Sequence, residues 1–122
     1  MLMRKMWISK TGLDDPITPE CDKLWRTWHE QLAAINEIKI PRWNHFSPQA
    51  SFFEVHGFAD ASKNAYGAAI YLRVVQGAQT NVTLQTAKSK SAPIKWEGIP
   101  RLELSAAHLS ARLTQHYVSK LR

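Results

Sequence analysis

The chain has 122 residues, a single cysteine and a formal net charge of +6. This length fits one domain with a modest core, and the balance of apolar and charged residues excludes a wholly disordered chain. No apolar run approaches the roughly 20 residues of a membrane span, and the first residues do not resemble a signal peptide. The lone cysteine excludes an internal disulfide and predicts an intracellular, cytoplasmic protein, while the positive charge weakly favours nucleic acid as a partner.

Residues 1–46 are predicted to form a helical segment. A short helix should end near Gly12, and a longer one should begin after Thr18, a good N-cap residue, with Pro19 at its first position. This helix should stop before Pro41. Its apolar residues recur every three or four positions and predict one buried stripe, with the tryptophans filling an interface: Leu24, Trp25, Trp28, Leu32, Ile35 and Ile38.

Residues 47–122 are predicted to form a small mixed sheet-and-helix unit. The runs "SFFEVHGF", "AYGAAIYLRVV" and "NVTLQTAKS" have the composition of strands. Residues 77–81 suit a hairpin turn, which makes the second and third strands antiparallel neighbours. A helix should begin at Pro100, with one apolar face formed by Leu102, Ala106, Leu109, Leu113 and Tyr117. The sequence gives this helix no stop signal, so we expect an incomplete domain of mixed α/β class.

Two carboxylates stand out in this arrangement. Asp60 ends the first predicted strand, and Glu103 falls in the predicted first turn of the last helix, beside its apolar stripe. Carboxylates from separate elements are what Mg²⁺ chemistry on phosphodiesters requires, and both could meet on one side of the sheet. Asp is also a common turn residue, and Glu favours the start of a helix. Spacing alone leaves the choice between these interpretations open.

The motifs "HGFADASKNAYGAAIYLR", "AKSKSAPIK" and "IPRLELSAAHLSARL" together resemble the ribonuclease H-like region of Bel/Pao-type retrotransposon polyproteins. The upstream "GLDDPITPE" and "LWRTWHEQLAAINEIKIPR" resemble the segment that connects this region to the reverse transcriptase. The resemblance covers nearly the whole chain. It implies a helical connection segment over residues 1–46 and, over 47–122, a truncated ribonuclease H-like fold of three antiparallel strands and a C-terminal helix.

The same resemblance implies a function. In the family, carboxylates bind Mg²⁺ and cleave the RNA strand of RNA–DNA hybrids, so Asp60 is the implied first-strand ligand and Glu103 the implied first-helix ligand. The implied partners are an RNA–DNA hybrid and the rest of the polyprotein, with its reverse transcriptase and integrase. The family pattern also requires a third carboxylate, on a later strand, which these residues do not include. We therefore expect the 122 residues on their own to be inactive.

Other interpretations remain open. A degenerate, non-catalytic remnant that binds nucleic acid weakly is one alternative; an aspartic peptidase, suggested by a label sometimes given to this family, is weakly supported because "FADAS" lacks the required glycine. The five histidines have no zinc-ligand spacing with Cys21. His56 could share a strand face with Asp60, and His108 and His116 are interpreted as packing or surface residues. The basic residues that could contact phosphates lie around a predicted solvated loop: Lys88, Lys90, Lys95 and Arg101.

Overall fold

The computed structural model describes residues 2–45, 52–95 and 97–121. Within it the chain divides into two compact units, Met1–Lys39 and Ile40–Arg122. The predicted boundary after residue 46 borders on residues 46–51, which lie outside the described residues, and it stays a prediction.

The first unit is helical, as the sequence predicts. Helix α1 spans Leu2–Ile8 and α2 spans Pro19–Gln31, and a 3₁₀ turn follows over Leu32–Glu37. The hydroxyl of Thr18 accepts a hydrogen bond from the backbone N–H of Cys21, which confirms the predicted N-cap. The α-helix ends earlier than expected, at a stretch where Ile35 and Asn36 lower the helix propensity.

The predicted buried stripe of this unit is wrong for most of its residues. Among the described residues of α2 only Cys21 is buried. Trp25 and Trp28 contact each other, with ring centroids 5.2 Å apart, yet they remain 43% and 51% exposed. The two indoles therefore contact one another with their planes tilted by 39° and stay partly exposed, so they are not the buried packing residues that were expected.

The second unit is built on an antiparallel sheet with strand order β1-β2-β3. The strands span Phe52–Ala61, Ala65–Gln76 and Gln79–Ser91. The turn between β2 and β3 is tighter than the predicted 77–81, because Gly77 adopts a φ of +57° that a two-residue hairpin turn favours. The register of β2 with β3 shifts between Ile70 and Tyr71, where one residue of β3 bulges out of the ladder.

Helix α3, Ile99–Lys120, packs across β1 and β2. The core consists of the helix-facing side chains of β2 and the apolar stripe of α3: Ala68, Ile70, Leu72, Val74, Leu102, Ala106 and Leu109. These α3 residues belong to the predicted stripe, because apolar spacing of three and four places them on one helix face. The predicted fold class is confirmed: a mixed α/β unit of three antiparallel strands and a C-terminal helix, preceded by a helical segment. In the described part of the chain, no helix combines the length and the apolarity that crossing a bilayer requires.

Candidate active site

Asp60 lies near the end of β1, one residue before the strand stops. It pairs with Gly67 of β2, and its side chain is exposed. The backbone N–H of Ala61 donates a hydrogen bond to Oδ1 of Asp60 at 2.8 Å. Within the described residues no hydrogen bond or ion pair uses Oδ2, so this oxygen is available to a ligand from outside the chain.

Gly57 shows which face of β1 the helix covers. A Cβ atom on Gly57 would lie 2.7 Å from Oγ of Ser110 and 3.1 Å from Oγ1 of Thr114, both on α3. Successive strand residues point to opposite faces, and the pairing of β1 with β2 continues without interruption from Phe52 to Ala61. Asp60, three residues beyond Gly57, therefore lies on the face opposite α3.

The contacts of neighbouring side chains agree with this assignment. On the face opposite α3, Nη1 of Arg73 donates a 2.7 Å hydrogen bond to Oε2 of Glu54, and Nε2 of His56 lies 3.2 Å from the same oxygen. These two hydrogen bonds, that of Arg73 first, lower the pKa of Glu54 below its ordinary value. His56 thus shares a strand face with Asp60, as their spacing predicts.

Glu103 is the fifth residue of α3 and lies just beyond its first turn. The predicted helix start at Pro100 is confirmed to within a residue. The helix begins at Ile99, after Gly98 as N-cap, so the prediction that Glu103 occupies the first turn is wrong. At 100° per residue, Glu103 lies within about 20° of both Ser110 and Thr114 around the helix axis. Its exposed side chain therefore projects from the flank of α3 that lies over β1.

The two carboxylates lie at the same end of the sheet. Ser105, two residues after Glu103, lines a groove together with Tyr66, and Tyr66 is the register partner of Ala61. The early turns of α3 are therefore level with the end of β1 that carries Asp60.

The expectation that both carboxylates meet on one side of the sheet is not met, because the strand pleat turns Asp60 away from α3. Asp60 and Glu103 can approach each other only around the outer edge of β1. Among the described strands β1 pairs with β2 alone, so this edge has no partner strand there.

The four predicted phosphate-contacting cations are spread over two elements and a loop. Lys88 and Lys90 belong to β3, which extends to Ser91 and replaces the first half of the predicted loop. Both are on the side of the sheet that faces α3, by their register with β2. Lys95 is exposed ahead of α3. Arg101 of α3 is exposed and forms an ion pair with Glu97 at 3.6 Å, which partly neutralises its charge.

Two side chains of α3 share a groove with Lys90. His108 and Arg112 of α3 line the same groove as Lys90 and Tyr66. With Ser105 they recur at spacings of three and four, which places them on one flank of the helix. That spacing was readable in the sequence, but their proximity to β3 was not.

In the described part of the chain, no three His, Cys, Asp or Glu side chains come together in a way that could hold a metal ion. Asp60 and Glu103 are thus two candidate ligands without a third described one beside them.

Comparison with known protein families gives a match. The model of a family described as "Pao retrotransposon-like RNaseH-like domain" matches residues 1–122. No curated protein and no solved structure matches the chain significantly.

Proposed function

The chain belongs to the family of Pao retrotransposon-like RNaseH-like domains. On that premise we propose that it is the part of a retrotransposon polyprotein that supplies the first two carboxylates of a ribonuclease H-like site. In this proposal Asp60 and Glu103 are two of the metal-binding carboxylates. The complete site hydrolyses the RNA strand of RNA–DNA hybrids, and acts in the cytoplasm alongside the reverse transcriptase and integrase of the same polyprotein.

One observation carries the proposal: two exposed carboxylates lie at the same end of the sheet, one on each side of the outer edge of β1. Asp60 is held by a strand whose pairing is regular over its whole length. Glu103 is held by a 22-residue helix anchored through buried Leu102 and Ala106. Rigid elements on either side of the β1 edge limit how far each carboxylate can move, and that is what a metal site requires of its ligands.

The donor set fits Mg²⁺. This ion takes hard oxygen ligands and is commonly held by one or two carboxylates, with water and substrate phosphates filling its remaining positions. Oδ2 of Asp60 has no hydrogen bond or ion pair in the described residues, and none involves the Glu103 carboxylate. If bound, Mg²⁺ would lower the pKa of a coordinated water and would stabilise the negative charge that develops on the leaving oxygen. Two-metal chemistry needs a further carboxylate, so these two ligands would hold at most one ion well.

The chain's own residues then have separate tasks. Oδ1 of Asp60 accepts a hydrogen bond from the backbone N–H of Ala61, which restrains the carboxylate and leaves Oδ2 for a ligand. Glu103 lies beyond the first turn of α3, so the helix dipole offers it little of the charge compensation that a first-turn carboxylate receives. An exposed, uncompensated carboxylate keeps its affinity for a cation.

The test is cleavage of an end-labelled RNA–DNA hybrid in Mg²⁺. We expect the 122-residue chain alone to leave the hybrid intact. We expect cleavage when the same residues are assayed within the polyprotein. Asp60→Asn or Glu103→Gln should abolish this cleavage. Asp14→Asn, a matched change at an exposed turn, should leave it intact. Cleavage by the isolated chain that Asp60→Asn abolishes would contradict the predicted inactivity. Polyprotein cleavage that survives both site variants would favour the non-catalytic alternative for this region.

A further inference from the structure

A second candidate site lies on the opposite flank of α3 from Glu103. The groove between α3 and the ends of β2 and β3 has a basic and hydroxylated lining, which we call the α3–β3 groove: Tyr66, Lys90, Leu104, Ser105, His108, Leu109 and Arg112. Ser105, His108 and Arg112 come from one flank of the helix, while Tyr66 and Lys90 are direct register partners across β2 and β3. Both elements thus contribute polar groups to one place.

The cations of this groove have no carboxylate partner in the described residues. No ion pair of the described residues involves Lys90 or Arg112. The nearest acidic residues along the chain are directed elsewhere: Glu97 pairs with Arg101, and Glu103 lies on the other flank of α3. The groove therefore concentrates positive charge that nothing within the described chain neutralises.

The side chains that line the groove suit a phosphate group. Leu109 is a buried member of the lining, and the hydroxyl of Tyr66 adds a neutral donor beside the cations, whereas the hydroxyl of Ser105 already donates to the carbonyl oxygen of Arg101 at 3.0 Å. Arg presents several N–H donors in a fixed fork that matches phosphate oxygens, and Lys acts as a point charge. An acidic peptide could also satisfy the charges, and the choice of phosphate over carboxylate follows from the proposed function.

We propose that the α3–β3 groove binds a backbone phosphate of the nucleic-acid substrate, with Arg112 and Lys90 as its principal contacts. The preference for an anion rests on the geometry of the groove, and the identification of that anion as nucleic-acid phosphate rests on the proposed function. The groove and the carboxylates flank α3 on opposite sides at the same end of the sheet. A nucleic-acid strand bound along that end of the sheet would contact both sites. One of its backbone phosphates would lie in the α3–β3 groove, and the phosphodiester to be cleaved would lie at the carboxylates.

The experiment measures binding of a fluorescent RNA–DNA hybrid by anisotropy in EDTA, over 50–200 mM KCl, so that no metal and no cleavage are involved. We expect Lys90→Gln and Arg112→Gln each to weaken binding about threefold to tenfold at 100 mM salt and to lower the slope of log K against log salt by about 1. Arg112→Lys keeps the charge and should keep most of the slope. Lys120→Gln removes the same charge from the exposed end of α3 and should leave the slope nearly unchanged.

Equal losses in Lys120→Gln and Arg112→Gln would overturn the proposal, because binding would then follow net charge and not the groove. Displacement of the hybrid by poly-glutamate at equal charge concentration would also overturn it, by assigning the groove to acidic peptides. The two proposals fail independently: groove-dependent binding without cleavage by the polyprotein removes the nuclease proposal alone, and cleavage without groove-dependent binding removes this one alone. A far-ultraviolet circular dichroism melt of each variant confirms that it folds.

Discussion

A Cβ atom on Gly57 of β1 would lie 2.7 Å from Oγ of Ser110 on α3, closer than real Cβ contacts come. The bare backbone of Gly57 is therefore what lets the helix approach the strand at this point. Because Glu103 lies on the same flank of α3 as Ser110, this contact also fixes where Glu103 stands relative to β1.

Gly57→Ala should destabilise the unit by about 1–3 kcal/mol, because the added methyl group overpacks the helix–strand contact. Ser110→Ala removes the clashing hydroxyl, so it should be nearly neutral alone and should recover about half of the loss in the double variant. Urea unfolding followed by circular dichroism measures the free energy of unfolding of the wild type, of the two single variants and of the double variant, which together form a double-mutant cycle. Strictly additive effects of the two changes would show that the hydroxyl of Ser110 is not what Gly57 accommodates.

The Glu54 cluster on the open sheet face predicts a stability that depends on pH. The hydrogen bonds from Arg73 and His56 lower the pKa of Glu54 in the folded state. The carboxylate therefore stabilises the fold above the unfolded pKa of about 4.3, and this contribution is lost as the pH falls through the folded-state pKa. The stability difference between the wild type and Glu54→Gln should be largest near neutral pH and should narrow below about pH 4.

Equilibrium urea unfolding at a series of pH values measures this difference. Glu37→Gln, at an exposed position of the first unit, is the matched control and should show no such narrowing. A gap between wild type and Glu54→Gln that stays constant from pH 7 to pH 3 would contradict an ionic role for Glu54.

The open face and outer edge of β1 predict self-association of the isolated chain. Phe58 lies on this face and is 59% exposed, in contact with Tyr71, and the outer edge of β1 has no partner among the described strands. Exposed apolar edge strands pair with other chains, and a lysine on such a strand opposes this. Sedimentation velocity should show concentration-dependent association of the wild type and less of it in Phe58→Lys. A wild type that stays monomeric at every concentration would contradict the prediction.

Local sequence signals predicted the elements of the fold well. The Thr18 cap and the Pro100 helix start were recognisable, because each depends on one or two neighbouring residues. The apolar face of α3 was recognisable too, because burial against a sheet imposes spacings of three and four. The hairpin turn was predicted in the right place but with too many residues. Its actual length depends on the left-handed backbone conformation of Gly77, which the sequence does not show.

Features that depend on contacts between distant segments were not predictable in this way. The sequence could not show that the strand pleat turns Asp60 away from α3, because that depends on which face Gly57 presents to the helix. The groove formed by Lys90 and Arg112 joins residues 22 positions apart through the packing of α3 on the sheet. The predicted burial of the tryptophans of α2 was wrong for a related reason. Their spacing places them on one face of the helix, but spacing does not show whether another element covers that face.

The central claim, that Asp60 and Glu103 bind one metal ion together, is tested most directly with Mn²⁺ as a paramagnetic substitute for Mg²⁺. In ¹H–¹⁵N spectra of the 122-residue chain with a non-cleavable hybrid, substoichiometric Mn²⁺ should broaden the amide signals of Ala61 and Leu104 first. Asp60→Asn and Glu103→Gln should each abolish the broadening at both positions, while Asp14→Asn and Glu37→Gln should leave it intact. Broadening centred elsewhere, or broadening at Ala61 that persists in Glu103→Gln, would contradict a shared site.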